Sequence, residues 1–435
     1  MKYKRFIIML IDGVPADEME RLMSEGELPI IAKLKNEGTY FKDCITSFPS
    51  LTGPSHVPFY LDKHPSDIDF TGHNQFDRIN QEHENYLKNY RLFPKKLKKL
   101  KTIYSEFADP VSVAEPVGKY EASYIRNPFG LLGWMGVPWI NNAYALWQTR
   151  QQYKEGRDLI TTWLHDTDAY QHIHKKPQAF IKSLKQIDKF LAKFTEEIDD
   201  DTNIVLVTDH GMEPAKWGRS TLVEMMRYKG INASNSRVYL DGGGMIQLFL
   251  KYPKKSWSYK PTIDELRNWP TKQGPWNLLD FIGQHPETEF AMAGDEEHTY
   301  IESRYGSAVI KEEGDKLLYK PTRGNDLFGY KYDKIAHEAV GRPISFAESL
   351  ALTVKTNYPD AIYQAHMAMQ APSVANVIIT ITAGYSPNLL TRCAVHGGLR
   401  AIQMKTFALF TKPLNEEVRP IRTHEIPKLI RKYKA

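Results

Sequence analysis

The segment Asn203–Met212 has the sequence Asn-Ile-Val-Leu-Val-Thr-Asp-His-Gly-Met. Its four consecutive apolar residues, Ile204 to Val207, are typical of a parallel strand that is buried between helices on both faces of a sheet. Asp209 and His210 follow at the carboxyl end of this strand, where open α/β sheets bind their ligands. A carboxylate beside an imidazole is an ordinary pair of ligands for Zn²⁺ or Mn²⁺. The alternative is an aspartate that caps the next element and a histidine without a role.

The chain begins with the same pattern. An apolar run from Phe6 to Ile11 leads directly to Asp12 and Gly13. Two strands that end in the same chemistry favour a sheet in which both carboxylates meet at one edge. The mixture of apolar and charged residues over Asp17–Glu37 predicts one helix after the first strand.

Hydroxyl side chains are concentrated in the next segment, Thr46–His56. Hydroxyls among Pro and Gly usually mark a turn before a helix, which is the alternative to a functional role. The start of a helix favours bound phosphate. A metal ion lowers the pKa of a hydroxyl such as that of Thr52, which makes it a nucleophile. Further along, the side-chain amide of Asn74 is a candidate donor to a phosphoryl oxygen.

A third strand is predicted over Leu159–Leu164, and metal-binding residue types follow it closely. Asp168 and His172 are four residues apart, so that one helical turn directs both side chains to the same ion. Asp166 and His174 compete with this pair, and spacing alone does not decide between them.

Helical and strand patterns alternate along the chain, which predicts an α/β fold with a mostly parallel central sheet flanked by helices. Further helices are expected at Pro177–Ile198, Trp217–Lys229 and Ile426–Tyr433, and further strands at Val238–Leu250, His298–Tyr319, Val374–Thr382 and Phe407–Phe410. The glycine triplet at 242–244 is more typical of a turn than of a phosphate cradle. The expected domains are a core at 1–214 with an aromatic-rich insertion at about 89–148 that includes Trp134, a cap-like elaboration with a small antiparallel subdomain at 215–358, and the rest of the core at 359–435.

Composition excludes several classes of protein. The chain has 435 residues, 42% of them hydrophobic, and a net charge of +5 from 57 basic and 52 acidic residues. Basic and aromatic residues are not interleaved, which argues against a nucleic-acid partner. Cys44 and Cys393 are the only cysteines, which excludes a disulfide framework. The apolar start is too short for a signal peptide, and no segment approaches the roughly 20 apolar residues of a membrane span. We expect a cytoplasmic protein without a membrane partner.

Seven candidate metal ligands are distributed from the first strand to nearly the last. They are Asp12, Thr52, Asp168, His172, Asp209, His210 and His396. Seven ligands suit two adjacent divalent ions. Two ions about 4 Å apart stabilise both the attacking and the leaving oxygen of a displacement at phosphorus.

The order and spacing of these motifs resemble the alkaline phosphatase superfamily and, within it, the nucleotide pyrophosphatase/phosphodiesterase branch. The motifs are Asp12-Gly13, Pro49–His56, Asn74–Asp77, Asp168–His172, Asp209–Gly211 and His396–Gly398. The resemblance implies an alkaline-phosphatase-like core and leaves the block after Met212 unexplained.

The resemblance also assigns roles. One zinc ion is held by Asp12, Thr52, Asp209 and His210, and the other by Asp168, His172 and His396, with Mn²⁺ as the alternative metal. Thr52 becomes the nucleophile that forms a phosphothreonine, and Asn74 binds a non-bridging oxygen together with the Thr52 backbone N–H. The implied substrate is a small-molecule phosphate ester, namely a phosphodiester or a nucleotide pyrophosphate, and the implied reaction is its hydrolysis.

Two departures from the family pattern keep alternatives open. Gln171 stands where the family has Gly before the histidine, so the choice of Asp168 and His172 is not settled by the resemblance. The long interval from His210 to His396 implies an insertion. A phosphomonoesterase and a phosphonoacetate-hydrolase-like enzyme are alternative functions, and an inactive metal-binding scaffold is the alternative outside enzymes.

Overall fold

The computed structural model of the chain describes residues 2–86, 97–129, 139–174, 178–391 and 393–435. The chain divides into two compact units. The first comprises Met1–His64, Tyr86–Met212 and Lys405–Ala435, and the second comprises Pro65–Asn85 and Glu213–Met404. The strand ends at Asp12 and Asp209 therefore belong to the first unit.

The first unit is built around a mostly parallel sheet. Its strands among the described residues, in spatial order, are Ile421–Arg422, Thr39–Ile45, Lys405–Phe410, Thr202–Val207, Arg5–Ile11, Leu159–Leu164, Pro110–Val113 and Ser123–Ile125. Arg5–Ile11 pairs in parallel with Thr202–Val207 on one side and with Leu159–Leu164 on the other. The Lys405–Phe410 strand is the antiparallel member. This arrangement confirms the predicted α/β fold.

The central strands are apolar because helices cover both faces of the sheet. Every residue of Thr202–Val207 and of Leu159–Leu164 is buried. The core combines strand residues with helix residues, among them Ile7, Met9, Ile160, Ile204, Leu22, Leu34, Leu184 and Leu191. The run from Ile204 to Val207 is thus a buried parallel strand, as predicted.

The helices of the first unit lie between these strands. They are Ala16–Ser24, Pro29–Glu37, Thr52–His56, Pro58–Leu61, Ile140–Lys154, Asp166–Ile173, Gln178–Phe194 and Ile426–Tyr433, with 3₁₀ turns at Ile103–Glu106, Pro116–Tyr120 and Thr423–Glu425. The prediction of one helix over Asp17–Glu37 is wrong. The chain turns at Gly26, whose φ is +76°, and a second helix starts at Pro29, a residue suited to the first helical position.

The second unit is built around an antiparallel sheet. Its strands within the described ranges, in spatial order, are Ser236–Asp241, Met245–Leu250, Val377–Ile381, Thr288–Gly294, His298–Ser303, Gly306–Glu313, Lys316–Gly324 and Pro343–Ser345. The strands predicted within Val238–Leu250 and His298–Tyr319 form antiparallel hairpins. The antiparallel part is larger than the small subdomain that the sequence predicts.

Shorter elements complete the second unit. They are the helices Thr221–Tyr228, Ile263–Arg267, Leu278–Gln284, Phe346–Thr353, Ala361–Met369 and Ala401–Met404, the 3₁₀ turns Pro65–Ile68, Tyr330–Tyr332, Ala336–Ala339 and Leu389–Thr391, and the paired strands Asn74–Asp77 with Glu82–Asn85, Glu213–Pro214 with Ala394–Val395, Lys216–Trp217 with Tyr385–Ser386, and Trp269–Thr271 with Gly274–Trp276. The helix predicted at Trp217 begins later, because the Ser220 side chain caps it by accepting a bond from the Val223 N–H.

One strand lies in a different sheet from the one that the sequence predicts. Val377–Ile381, expected to return to the core sheet, pairs with Met245–Leu250 and Thr288–Gly294 in the second unit. An apolar run is buried in either sheet, so its pattern does not say which sheet it joins. The domain limits at 214 and 358 stay a prediction.

Two further expectations concern composition. Among the described residues, no helix combines the length and the apolar character that a membrane span requires. Part of the expected aromatic-rich insertion, including Trp134, lies outside the described residues.

Candidate active site in the first unit

Two adjacent parallel strands bring three candidate residues together. Arg5–Ile11 leads to Asp12, and its neighbour Thr202–Val207 leads to Asp209 and His210, with Leu10 opposite Val207 in the register. The Nε2 atom of His210 lies 3.5 Å from Oδ1 of Asp12 and 3.3 Å from Oδ2 of Asp209. All three side chains are buried. The end of the sheet therefore carries the carboxylates and the imidazole side by side.

Gly13 connects these carboxylates through its backbone. Its N–H donates to Oδ1 of Asp209 over 3.1 Å, and its carbonyl accepts from Nε2 of Gln171 over 2.7 Å. Its φ is +69°, a conformation that favours glycine. A Cβ atom here would lie 2.9 Å from Cβ of Asp168, so the close approach of the Asp168 side chain requires glycine.

The helix Asp166–Ile173 supplies the second predicted pair. Oδ1 of Asp168 lies 3.4 Å from Nε2 of His172, one helical turn away. One ligand atom from each of Asp168, Asp12 and His210 falls within 4.8 Å of the others. Asp168 therefore joins the residues at the strand ends.

The competing residues Asp166 and His174 have other surroundings. The Asp166 carboxylate accepts bonds from the Asn141 side chain over 2.9 Å and from the Asn142 backbone over 3.0 Å. This fastens the helix to its neighbour Ile140–Lys154. His174 is exposed at the end of its helix. Neither residue belongs to a group of metal-binding side chains within the described part of the chain.

Thr52 is the first residue of the short helix Thr52–His56. Its Oγ1 lies 3.2 Å from Nε2 of His210. The other ring nitrogen of His210, Nδ1, lies 3.1 Å from the Gly211 carbonyl. A backbone acceptor at one ring nitrogen orients the imidazole and leaves the other nitrogen for a ligand. The hydroxyl thus lies beside an imidazole that in turn lies beside the two strand-end carboxylates.

Burial and neighbouring negative charges both disfavour the ionisation of a carboxylate at this site. Burial raises the pKa of Asp12 well above its usual range, and the carboxylates of Asp209 and Asp168 raise it further. For Asp209, burial also works to raise the pKa, but the electrostatic interaction with His210 and the contact with His56 lower the pKa to about 2. Three buried carboxylates in one place are the charge pattern of a cation site.

Three neighbouring residues were not predicted as parts of the site: His56, Glu115 and Trp163. Nδ1 of His56 lies 2.8 Å from Glu115, and its Nε2 lies 3.2 Å from Oδ2 of Asp209. Trp163 donates from Nε1 to Oδ2 of Asp12 over 2.8 Å. Burial works to lower the pKa of His56, but the two carboxylates raise it to about 10. His56 and Trp163 thus contact the carboxylates of Asp209 and Asp12, and Glu115 contacts His56. The position of His56, four residues after Thr52 in a helical segment, is the one sequence signal that could have indicated it.

Asn74 and His396 belong to the second unit. The Asn74 amide donates from Nδ2 to Asp241, and its Oδ1 accepts from Asn85 over 2.7 Å. His396 is buried, and its backbone N–H donates to the Gly242 carbonyl over 3.0 Å. A Cβ atom on Gly243 would lie 2.1 Å from Oγ1 of Thr391. The glycine triplet is therefore a closely packed turn beside His396.

Comparison with known proteins identifies the family. A family model described as type I phosphodiesterase / nucleotide pyrophosphatase matches residues 6–267, which is more than half of the chain. The chain belongs to this family. The match includes Asp12, Thr52, Asn74, Asp168 and His210, so the motifs of the sequence analysis fall inside it with the exception of His396–Gly398. A search of curated proteins found no match.

Solved structures with the same fold align with nearly the whole of this type I phosphodiesterase / nucleotide pyrophosphatase family member. Phosphonoacetate hydrolase from Sinorhizobium meliloti, in complex with phosphonoformate, has 11% sequence identity and a TM-score of 0.59, over 99% of this chain and 96% of that chain. Murine ectonucleotide pyrophosphatase / phosphodiesterase 5 has 11% identity and a TM-score of 0.57, over 98% and 94%. At such identities the likeness shows the fold.

The family confirms the predicted nucleotide pyrophosphatase/phosphodiesterase branch and the predicted class of enzyme. The chain is a hydrolase of phosphoester bonds. The roles of its individual residues remain predictions.

Proposed function

We propose that this protein hydrolyses a phosphodiester or nucleotide pyrophosphate bond by way of a phosphothreonine on Thr52, at a site for two divalent ions, Zn²⁺ or Mn²⁺. The observation that carries the proposal is the position of the Thr52 hydroxyl, 3.2 Å from Nε2 of His210. His210 in turn lies beside two buried carboxylates, Asp12 and Asp209.

The residues present suit divalent ions. Within the described residues, Oδ1 of Asp12 is buried without a hydrogen-bond partner, and Oδ2 of Asp209 has only the imidazoles of His56 and His210 beside it. A cation would satisfy both oxygens. Carboxylate, imidazole and hydroxyl groups are appropriate donors for Zn²⁺ and Mn²⁺. The proposed ligands of one ion are Asp12, Thr52, Asp209 and His210, and those of the other are Asp168, His172 and His396. When bound, such ions supply positive charge that lowers the pKa of a hydroxyl and stabilises negative oxygen atoms.

The chain's own residues account for the two proposed displacements. In the first, Oγ1 of Thr52 gives its proton to water and bonds to phosphorus, while the bond from phosphorus to the leaving oxygen breaks and that oxygen takes up a proton from water. In the second, water attacks phosphorus, the bond to Oγ1 breaks, and the Thr52 hydroxyl is restored. His210 and the carboxylates orient Oγ1 during both steps, and the Asn74 amide donates to a non-bridging oxygen.

The substrate class rests on the family and on what similar proteins bind. The murine protein has been solved in an inactive form in complex with AMP, and the bacterial hydrolase in complexes with phosphonoformate and phosphonoacetate. A nucleotide or another small phosphate ester is accordingly the proposed substrate. Hydrolysis of a carbon–phosphorus bond is the second candidate, since the phosphonoacetate hydrolase shares the fold over nearly the whole chain. A cytoplasmic location and the absence of nucleic-acid or membrane partners stay predictions.

The test is turnover of a p-nitrophenyl phosphodiester, the matching monoester and phosphonoacetate by the zinc-loaded protein. Thr52→Ala is expected to abolish release of product from the diester. Thr195→Ala, which removes a hydroxyl bonded to a helix carbonyl elsewhere in the first unit, serves as the matched control. Because two in-line displacements restore configuration, a chiral substrate should react with retention at phosphorus. Full turnover by Thr52→Ala, or inversion, would refute the covalent route.

Metal analysis tests the proposed ligand of the second ion. The wild type is expected to bind two ions per chain, and His396→Ala is expected to bind one. Two ions retained by His396→Ala would contradict the assignment of this residue. Bound metal without turnover of any of the three compounds would favour the inactive scaffold.

A further inference from the structure

The amide of Asn74 is held at both ends by neighbours in the second unit. Its Oδ1 accepts from Nδ2 of Asn85 over 2.7 Å and lies 2.8 Å from Nε2 of His83. Its Nδ2 donates to Oδ1 of Asp241. These contacts decide which end of the amide is oxygen and which is nitrogen. Since an amide nitrogen carries two hydrogens, one of them remains for a further acceptor.

Asp241 is a buried carboxylate with uncharged donors around it. It is 1% exposed, and it accepts from Nε2 of Gln247 over 2.7 Å as well as from Asn74. The largest causes that shift its pKa are burial and hydrogen bonds from uncharged side-chain and backbone donors. Burial raises this pKa to about 6, although bonds from Asn74 and Gln247 act in the opposite direction. A buried charge without a cation costs stability, which is more typical of a functional site than of a core.

The backbone near Asn74 is fixed to the same carboxylate. The Asn74 N–H faces Oδ2 of Asp241 over 3.4 Å, and Nε2 of Gln247 donates to the Asn74 carbonyl over 2.6 Å. A Cβ atom on Gly72 would lie 2.3 Å from Nε2 of Gln247 and 2.7 Å from Oδ2 of Asp241. Asp241 therefore determines the place of the Asn74 backbone as well as the orientation of its amide.

We propose that Asp241 is a positioning residue that aims the second N–H of Asn74 at a non-bridging phosphoryl oxygen, and that its charge selects monoanionic diesters over dianionic monoesters. The inference rests on the proposed function, in which Asn74 binds that oxygen. Because Asp241 bonds to the same nitrogen as the oxygen would, its negative charge lies close to the phosphoryl group. Asp241 therefore repels a dianionic phosphoryl group more strongly than a monoanionic one. The repulsion is large because buried charges are poorly screened.

A double-mutant cycle tests the positioning role. We expect Asn74→Ala to lower kcat/KM for a p-nitrophenyl phosphodiester by about 100-fold, the usual cost of losing one such donor. Asp241→Asn is expected to lower it by about 10-fold, and the double variant to be no worse than Asn74→Ala, because residues that act through one another are not additive. Losses that multiply in the double variant would overturn the inference.

The ester preference tests the charge. Asp241→Asn should raise the ratio of monoester to diester turnover several-fold relative to the wild type, whereas Asp315→Asn, an exposed carboxylate in a hairpin of the same unit, should leave the ratio unchanged. An unchanged ratio in Asp241→Asn would overturn the selection of diesters. A structural defect alone would slow both esters equally.

Binding of orthovanadate, measured by calorimetry, separates this inference from the proposed function. If the losses of vanadate affinity in Asn74→Ala and Asp241→Asn add up in the double variant while the wild type keeps Thr52-dependent turnover, only the role of Asp241 is refuted. Absence of Thr52-dependent turnover in the wild type would refute the proposed function. If Asp241→Asn does not fold, Asn85→Ala is the substitute, because it frees the oxygen end of the Asn74 amide. Asn85→Ala should lower kcat/KM in the wild type and have no further effect in Asn74→Ala.

Discussion

At the scale of single residues, Gly13 bears directly on the site because its backbone touches two candidate ligands. We expect Gly13→Ala to destabilise the protein by about 2–4 kcal/mol, from the cost of a positive φ together with overlap with the Asp168 side chain. Metal content should fall as well, since Asp168 and Asp209 both depend on this position. Chemical denaturation and metal analysis measure the two effects.

Gly156→Ala is the matched control for Gly13→Ala. Gly156 also has a positive φ, +90°, but a Cβ atom there would have no atom within 4 Å among those described. Its substitution should cost only the backbone strain, about 1–2 kcal/mol, and leave metal content unchanged. Equal effects of the two substitutions would show that the packing against Asp168 has no consequence.

The stability of the protein should depend on pH through Asp241. Its pKa in the folded protein, about 6, lies above the ordinary value of 3.8, so folding favours the protonated form. The free energy of unfolding therefore falls as the pH rises from about 4 through about 6, by up to about 3 kcal/mol for this group.

Asp241→Asn removes this dependence. The difference between the free energies of unfolding of variant and wild type, obtained from denaturation at a series of pH values, should shift in favour of the variant as the pH rises from about 4 through about 6. A difference that stays constant from pH 4 to pH 8 would mean that Asp241 does not titrate in this range.

Single residues at strand ends could be predicted, and their lateral partners could not. Asp12, Asp209 and His210 follow apolar runs directly, so strand geometry alone places them at one edge. Glu115 and Trp163 contact the site from distant parts of the sequence, and nothing in their local pattern distinguishes them from ordinary core residues. Pairing of residues far apart in the chain is decided by the fold.

At the scale of elements, Gln171 fixes the helix Asp166–Ile173 to the turn that follows the first strand. The Gln171 amide donates to the Gly13 carbonyl over 2.7 Å and to the Thr167 carbonyl over 3.1 Å. We expect Gln171→Leu to lower zinc affinity by about 10-fold, the lower end of the cost of removing a group that orients ligands. Competition with a chromogenic chelator measures the change.

Gln178→Leu, at the exposed start of the next helix, is the control for Gln171→Leu. It should leave zinc affinity and turnover as in the wild type. If both substitutions have the same effect, Gln171 does not position the helix.

Periodicity predicts where helices lie better than where they end. The apolar pattern over residues 17–37 continues across Gly26, because a turn between two helices can keep the same buried face. The sequence could not separate Asp168 from Asp166 either, since both occupy the first turn of one helix. The neighbouring helix Ile140–Lys154 makes the distinction, because Asn141 and Asn142 bind Asp166.

At the scale of the whole molecule, removal of metal should reduce thermal stability. The carboxylates of Asp12, Asp168 and Asp209 are buried together and repel one another unless a cation separates them. Zinc at 100 times its dissociation constant should stabilise the fold by about 3 kcal/mol for each site. Scanning calorimetry with zinc and with a chelator should show a loss of several degrees in the chelator.

The variant Asp12→Asn provides the comparison for this measurement. It removes one of the repelling charges, so the difference between zinc and chelator should be smaller than in the wild type. Identical melting of the wild type in both conditions would contradict a cation site among these carboxylates.

The overall fold class could be predicted because buried parallel strands leave continuous apolar runs. Membership of a particular sheet could not, as Val377–Ile381 demonstrates. Its run is as apolar as those of the first unit, and only its antiparallel partners in the structure reveal where it lies. For the same reason, one sequence does not predict how many strands the antiparallel sheet of the second unit contains.

The turn at 242–244 has a consequence for redesign. It starts directly after Asp241, and its backbone bonds to His396 at Gly242 and Gly244. One tight turn thus fixes the positions of an aspartate and a histidine that are more than 150 residues apart in the sequence. Lengthening that turn would disturb the aspartate and the histidine together, so insertions meant to change the preference between diesters and monoesters should be placed elsewhere.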